Sequence, residues 1–272
     1  MSQNNPYGFS LESASDTNTN SAYGVPNQNT ANTYGDYAAA YETPISETPY
    51  GKTVDITKRK KQALTISLGI MSGGLLLSLS AALVEFLVLM MWGNLALPIL
   101  IGSFVLEFAM VFATQGCIKK EKVGGGIACY VLFAISNGVT FVSIFANYRI
   151  DSVLGIFALT TLIFAGTTIV ALIIPKDLSG WSLSLIMGLF ALLLLSVIYL
   201  FVPIPALDFF ICIFGVILFI AYTAYDVKKI YALAVEDTSR SIWTVGLFGG
   251  MNLYLDFINL LLRILRLFGK RR

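Results

Sequence analysis

Seven long apolar runs decide what this chain can fold into. They lie at about 63–91, 95–118, 124–147, 152–174, 181–202, 206–231 and 243–268. Each is long enough, at 1.5 Å per residue in a helix, to cross ~30 Å of hydrocarbon. Backbone inside lipid must satisfy its own N–H and C=O groups, so runs of this length read as helices. The expected fold is an all-α polytopic membrane protein with seven transmembrane helices over residues 63–272. Composition agrees: charged residues are 12% of the chain, where soluble domains carry about 25%.

Residues 1–62 are different. They are rich in Asn, Ser, Thr, Tyr and Gly, with a Tyr-Gly dipeptide at Tyr7, Tyr23, Tyr34 and Tyr50. Such a segment buries too little to offset its chain entropy, so it is expected to be disordered. It lacks the basic-then-apolar pattern of a signal peptide. Its tyrosines are candidate contacts for a membrane-protein partner. The tail ends in Lys58, Arg59, Lys60 and Lys61, which by the positive-inside rule stay in the cytoplasm. Lysine and arginine then favour alternate loops: Lys119, Lys120 and Lys122 in the second, Lys176 in the fourth, Lys228, Lys229 and Arg240 in the sixth. Glycines such as Gly69, Gly73, Gly74, Gly138, Gly155, Gly166, Gly188 and Gly215 are expected to let helices pack closely. The far end of the chain breaks the charge pattern. Seven crossings put Arg263, Arg266, Lys270, Arg271 and Arg272 at the outer side, where the rule disfavours them. The expected location is a cell membrane of bacterial type, with the N-terminus cytoplasmic.

Several chemistries drop out. The chain has no histidine, which removes His-based metal sites, catalytic triads and histidine pH sensing. Its net charge of +2, with no basic face, argues against nucleic acid. Cys117, Cys129 and Cys212 form no CxxC and read as small buried side chains. Gly124, Gly125 and Gly126 lack the flanking Lys-Ser/Thr or preceding strand of a phosphate loop. No cofactor is expected.

What remains is a set of carboxylates inside apolar runs. An ionised carboxylate in hydrocarbon costs roughly 2.5–3.5 kcal/mol on insertion scales, so each needs a reason. In the last run Asn252, Asp256, Asn259 and Arg263 fall within about 60° of one another on a helix. A polar stripe on an apolar helix must face protein or water, so this helix is expected to be central. Asp226 sits in the sixth run, with Tyr222, Thr223 and Tyr225 to supply hydroxyls. Glu107 lies near the middle of the second run, and Glu85 near the outer end of the first, where it reads as interfacial. If Asp226 and Asp256 meet, they titrate as a pair. That arrangement suits pH sensing, proton–cation exchange or aspartic-protease chemistry, and the residues alone leave all three open.

Three stretches carry a family resemblance: SNGVTFVSIFANYRIDSVLGIFALTTLIFAG at 136–166, PKDLSGWSLSLIMGL leading into GVILFIAYTAYDVKKI, and LYLDFINLLLRILRLFG near the end. With these the chain resembles the Bax inhibitor-1 family of membrane proteins over about residues 60–269. The resemblance implies six helices around a central polar seventh. It also implies a pH-sensitive calcium leak whose sensor is an aspartate pair from the last two helices, carried here by Asp226 and Asp256. Those carboxylates would hold calcium transiently. Glu107 matches the family's acid inside the second helix. The family's latch is a basic residue, ordinarily arginine, at the inner end of that helix, and this chain offers Lys119 or Lys120. Lysine supplies a point charge and not a bidentate fork.

The expected function is therefore a calcium leak channel or proton-linked cation transporter, not an enzyme, with calcium ions, protons and the bilayer as partners. One alternative is a non-transporting regulator that binds membrane proteins through the 1–62 tail. A less favoured one is an intramembrane aspartyl protease. Tyr225-Asp226 fits its first motif, but Leu253-Tyr254-Leu255-Asp256 stands where Gly-x-Gly-Asp should be.

Overall fold

A computed structural model describes residues 45–47, 53–91, 96–175, 178–236 and 238–271. The fold described below lies within the unit Thr43–Arg272. The disorder expected for residues 1–44 and 48–52 lies outside the described residues.

The ordered chain starts earlier than residue 63. Strand β1 (Ile45–Glu47) pairs antiparallel with β2 (Thr53–Asp55), and helix α1 runs from Ile56 to Met91. Two interactions explain the early start, one local and one with a distant segment. Asp55 Oδ1 accepts the Lys58 N–H at 3.0 Å, satisfying one of the orphan donors of a helix N-terminus. The Arg59 guanidinium donates to the Ala234 carbonyl at 2.9 Å and to that of Arg240. The basic cluster is thus the first turn of a helix and not the end of a tail.

Helices α2 (Ala96–Lys119), α3 (Val123–Ser136), α4 (Gly138–Asn147), α5 (Ile150–Ile173), α6 (Ser182–Phe201), α7 (Pro205–Glu236) and α8 (Ile242–Phe268) follow. Together α3 and α4 make the third crossing, so the described residues contain seven candidate spans. The break falls at Asn137, followed by Gly138, a pair of weak helix formers. Gly138 also lets α4 press on α1, since a Cβ there would meet Glu85 Oε2 at 2.6 Å and the Ala82 backbone nitrogen at 2.9 Å.

The sixth crossing is longer than expected. Lys228 and Lys229 belong to α7, which continues to Glu236, and the loop to α8 is short. No glycine or proline interrupts the chain between Gly215 and Gly246. The Arg59 side chain covers one carbonyl near the α7 terminus and one in the loop beyond. The Arg240 guanidinium in turn pairs with Glu121, in the α2–α3 turn, at 3.4 Å.

Helix α8 is the axis of the bundle. The most apolar stretch of this span is 72% buried, against 11% for α6. It packs against α1, α7, α5, α3 and α2, whereas α6 packs chiefly on α7. Close approach comes from glycines on α8 itself. A Cβ on Gly250 would lie 2.6 Å from Ile70 Cβ, and one on Gly249 would lie 2.5 Å from Ile230 Cδ1. Among the glycines expected at contacts, Gly74, Gly138, Gly188 and Gly215 touch neighbours, whereas Gly69, Gly73, Gly155 and Gly166 face open space. For the latter four, composition pointed to packing that the helix rotation does not provide.

Candidate functional site

Asp226 on α7 and Asp256 on α8 are both buried, at 6% and 4% exposure. Their carboxyls come within hydrogen-bonding reach of each other. Two carboxyl groups this close in a dry interior cannot both carry charge without strong repulsion. Oδ2 of Asp256 is fully covered and accepts no hydrogen bond from a donor group among the described residues.

The surroundings of the pair are specific. Tyr222, half-buried one turn before Asp226, faces both carboxyls. Lys229 is the cation in the field of Asp226. Its ammonium sits 5.5 Å from the Tyr225 ring centroid and 5.0 Å from that of Phe248, so one ring from each helix holds it by cation–π attraction. Thr223 is fully buried, but its hydroxyl donates to the Phe219 carbonyl at 2.8 Å, within its own helix.

The other candidates are distributed as follows. Lys119 and Lys120 are exposed at the end of α2 and make no contact with either aspartate among the described residues. The turn beyond them is tight, with Glu121 at a φ of 53°, and it directs Glu121 to Arg240. The basic group that shares the environment of Asp226 is therefore on α7, not on α2. Lys229 could have been found from sequence. It stands three residues after Asp226, on the same face of any helix that continues past residue 230.

The polar stripe of α8 divides. Asn252 is half-buried. Asn259 spends an amide N–H on the Leu255 carbonyl at 2.8 Å. Arg263 lies about two turns beyond Asp256, some ~10 Å along the axis, and belongs to a different neighbourhood. Its stem rests on Gly215, and Cys212 and Asp208 lie beside it.

Glu107 on α2 is half-buried and faces Tyr254 and Glu85, not the aspartate pair. Glu85 is less interfacial than its position suggested. Its Oε2 is fully covered and packed at the α3–α4 break. Beside Glu107 lies a set of buried hydroxyls that the sequence did not announce. Tyr254 O–H and Ser78 Oγ are 2.7 Å apart, and Ser78 reaches the Ala134 carbonyl at 2.6 Å. Tyr130 donates to the Ile70 carbonyl at 3.0 Å. A serine in a run such as Leu77-Ser78-Leu79-Ser80 carries no signal that tells which hydroxyl turns inward.

Among the cysteines, the thiols of Cys117 and Cys129 adjoin each other across the α2–α3 hairpin, and Cys212 is buried. No group of three or more acidic, Cys or His residues could hold a metal among the described residues. The pair offers oxygen ligands of the type calcium prefers, but too few to enclose an ion without water or carbonyls.

Comparisons with known proteins agree with this architecture. Residues 61–272 match the family model described as "Inhibitor of apoptosis-promoting Bax1". The chain is 32% identical over 176 residues to the inner membrane protein YbhL of Escherichia coli strain K12, covering 64% of this chain and 75% of that one. It is also 32% identical over 173 residues to an uncharacterised protein of Borreliella burgdorferi, with 63% and 75% covered. An uncharacterised membrane protein of Streptococcus pyogenes serotype M3 is 27% identical over 172 residues, with 62% and 73% covered. With the seven-span bundle, its polar central helix and a match that covers all but its first few residues, the chain belongs to the Bax inhibitor-1 family of multi-pass membrane proteins.

Proposed function

We propose that this protein is a pH-sensitive cation leak, carrying calcium or exchanging protons for a cation, with Asp226 and Asp256 as its gate. The observation that carries the reading is the meeting of two buried carboxyls from the last two helices, deep in an apolar bundle. Helices usually avoid this cost, and intramembrane carboxyls most often mark ion or proton pathways.

The mechanism follows from charge. With a proton between them, the carboxyls hold α7 and α8 together. Loss of that proton leaves two like charges in low dielectric, which repel strongly. The repulsion is relieved by separating the helices, by admitting water or by admitting a cation. Lys229 bears on the outcome because it sits in the field of Asp226 and is tethered only by ring faces. A divalent cation in the opened pair takes carboxylate oxygens as ligands and completes its shell with water. Glu107 supplies a further carboxyl on the other side of α8.

In this reading the pair is not catalytic and needs no cofactor. Calcium flux into proteoliposomes, measured across a pH series, tests it. Asp226→Asn and Asp256→Asn each keep the size of the side chain and remove the titration. Each variant is expected to lose the pH dependence of flux. Wild-type flux and pH response in both would sink the mechanism. Cleavage of a helical substrate that is lost in Asp256→Ala would instead make the pair hydrolytic.

A further inference from the structure

The arginines that break the charge pattern at the end of the chain come together. At the bundle end away from Lys58–Lys61, a cavity of about 530 Å³ opens between α4, α8 and the C-terminal segment. Arg263, Arg266 and Arg271 all line it, and among the described residues no carboxylate does. Thr140 and Asn259 add neutral polar groups to the wall.

The fold positions the side chains of Arg263 and Arg266 and the backbone of Arg271. The Arg263 stem is fitted against Gly215, where a Cβ would lie 3.0 Å from its Cγ and Cδ. Arg266 pairs with Asp208 at 3.3 Å and lies 5.6 Å over the Tyr199 ring. Arg271 follows a segment that is tied down. The Lys270 N–H donates to Ser152 Oγ at 3.0 Å, the Arg149 N–H donates to the Lys270 carbonyl at 3.0 Å, and Arg271 bridges to Tyr148. The nearby Arg149 is already matched by Asp151 at 3.1 Å. Asp208, paired with Arg266 and beside Arg263, is one carboxylate against three arginines, which leaves an excess of positive charge around one space.

Like charges held together repel unless something neutralises them. Guanidinium is the group that recognises phosphoryl oxygens bidentately and stays charged at any relevant pH. We propose that this cavity binds a phosphoryl anion, supplied by the headgroup of an anionic phospholipid or by free phosphate. Apolar side chains in the wall, Ile144 and Leu262 among them, suit a lipid glycerol backbone beside the phosphate.

Native mass spectrometry and thermal unfolding of the purified full chain test this, with phosphatidylglycerol and inorganic phosphate as probes. A bound phosphatidylglycerol that survives excess phosphate assigns the lipid as source. Stabilisation by phosphate alone, with displacement of the lipid, assigns the free anion. Either binding is expected to weaken about tenfold in Arg271→Gln and in Arg266→Gln, as for loss of one charge-assisted contact. Arg271→Lys is expected to restore it only in part. Arg271→Gln decides alone if Arg266→Gln fails to fold, because the Arg271 side chain is exposed. Wild-type binding in Arg271→Gln, equal weakening in Lys122→Gln at the other end, or no binding of either probe overturns the proposal.

Discussion

At the residue scale, the interior of this bundle is held by a few hydroxyls as well as by apolar contact. Tyr254 is fully buried, edge-on to Tyr130 and Phe133 with ring centroids 6.0 and 5.4 Å away, and its O–H meets Ser78. Tyr254→Phe keeps the ring packing and removes that hydrogen bond. Ser78 still has the Ala134 carbonyl, so little is left unsatisfied. The expected loss is about 0.5–1.5 kcal/mol, read as a modest fall in the melting temperature in detergent. Ser78→Ala also loses the bond to the Ala134 carbonyl and leaves the buried Tyr254 O–H without its partner, so it should cost more, and the double variant less than the sum, since both single changes remove the Ser78–Tyr254 bond. The same scale shows what was legible. Asp256 was placed inward by its stripe, and it is inward. The nearness of Asp226 came through a resemblance and not from residue spacing. Ser78 could not be found at all, because buried and lipid-facing serines look alike in a run of leucines.

At the scale of elements, α8 owes its central place to two faces with different tasks. One face carries carboxyl, amide and guanidinium groups that lipid would penalise. Another carries Gly250, which lets α1 approach, while Gly249, seven residues before Asp256 on the polar face, admits Ile230 of α7. Leucine at Gly250 must displace Ile70 and the backbone of α1, so Gly250→Leu is expected to destabilise by 1–3 kcal/mol or more, as overpacking does. Gly155→Ala on α5 is the contrasting case. Nothing lies within 4 Å of its added Cβ, so the gain in helix propensity is expected to be neutral or slightly stabilising. Thermal unfolding of the two variants beside the wild type separates them. The α2–α3 hairpin has its own check: Cys117 and Cys129 adjoin, so mild oxidation of the purified protein is expected to link them, and loss of two free thiols without a dimer on a gel would report it.

At the scale of the whole molecule, seven crossings make topology a measurable consequence. Seven full crossings would put the start of α1 and the end of α8 on opposite faces of a bilayer. Reporters fused before residue 1 and after residue 272 are expected to report opposite compartments, and equal signals from both would mean that one span does not cross. The two ends of the bundle also differ in how charge is used. Near the α1 start, three cations are matched: Arg59 to carbonyls, Arg240 to Glu121, Lys228 to the Ile174 carbonyl. At the other end, three arginines share one cavity.

The sequence by itself determined the class of fold, the number of crossings and the inward face of the last helix. Each follows from a local rule: apolar length, hydrocarbon thickness, and the cost of charge in lipid. Tertiary structure alone decided which groups meet. It put Lys229 and not Lys119 or Lys120 in the field of Asp226, set Glu107 beside Tyr254 and Glu85, and split Arg263 from Asp256. Those outcomes depend on where α7 ends, how the third span breaks at Asn137 and how each helix is rotated about its axis. Rotation and termination are fixed by packing between distant segments, such as Arg59 on the far end of α7, and no local pattern of residues records them.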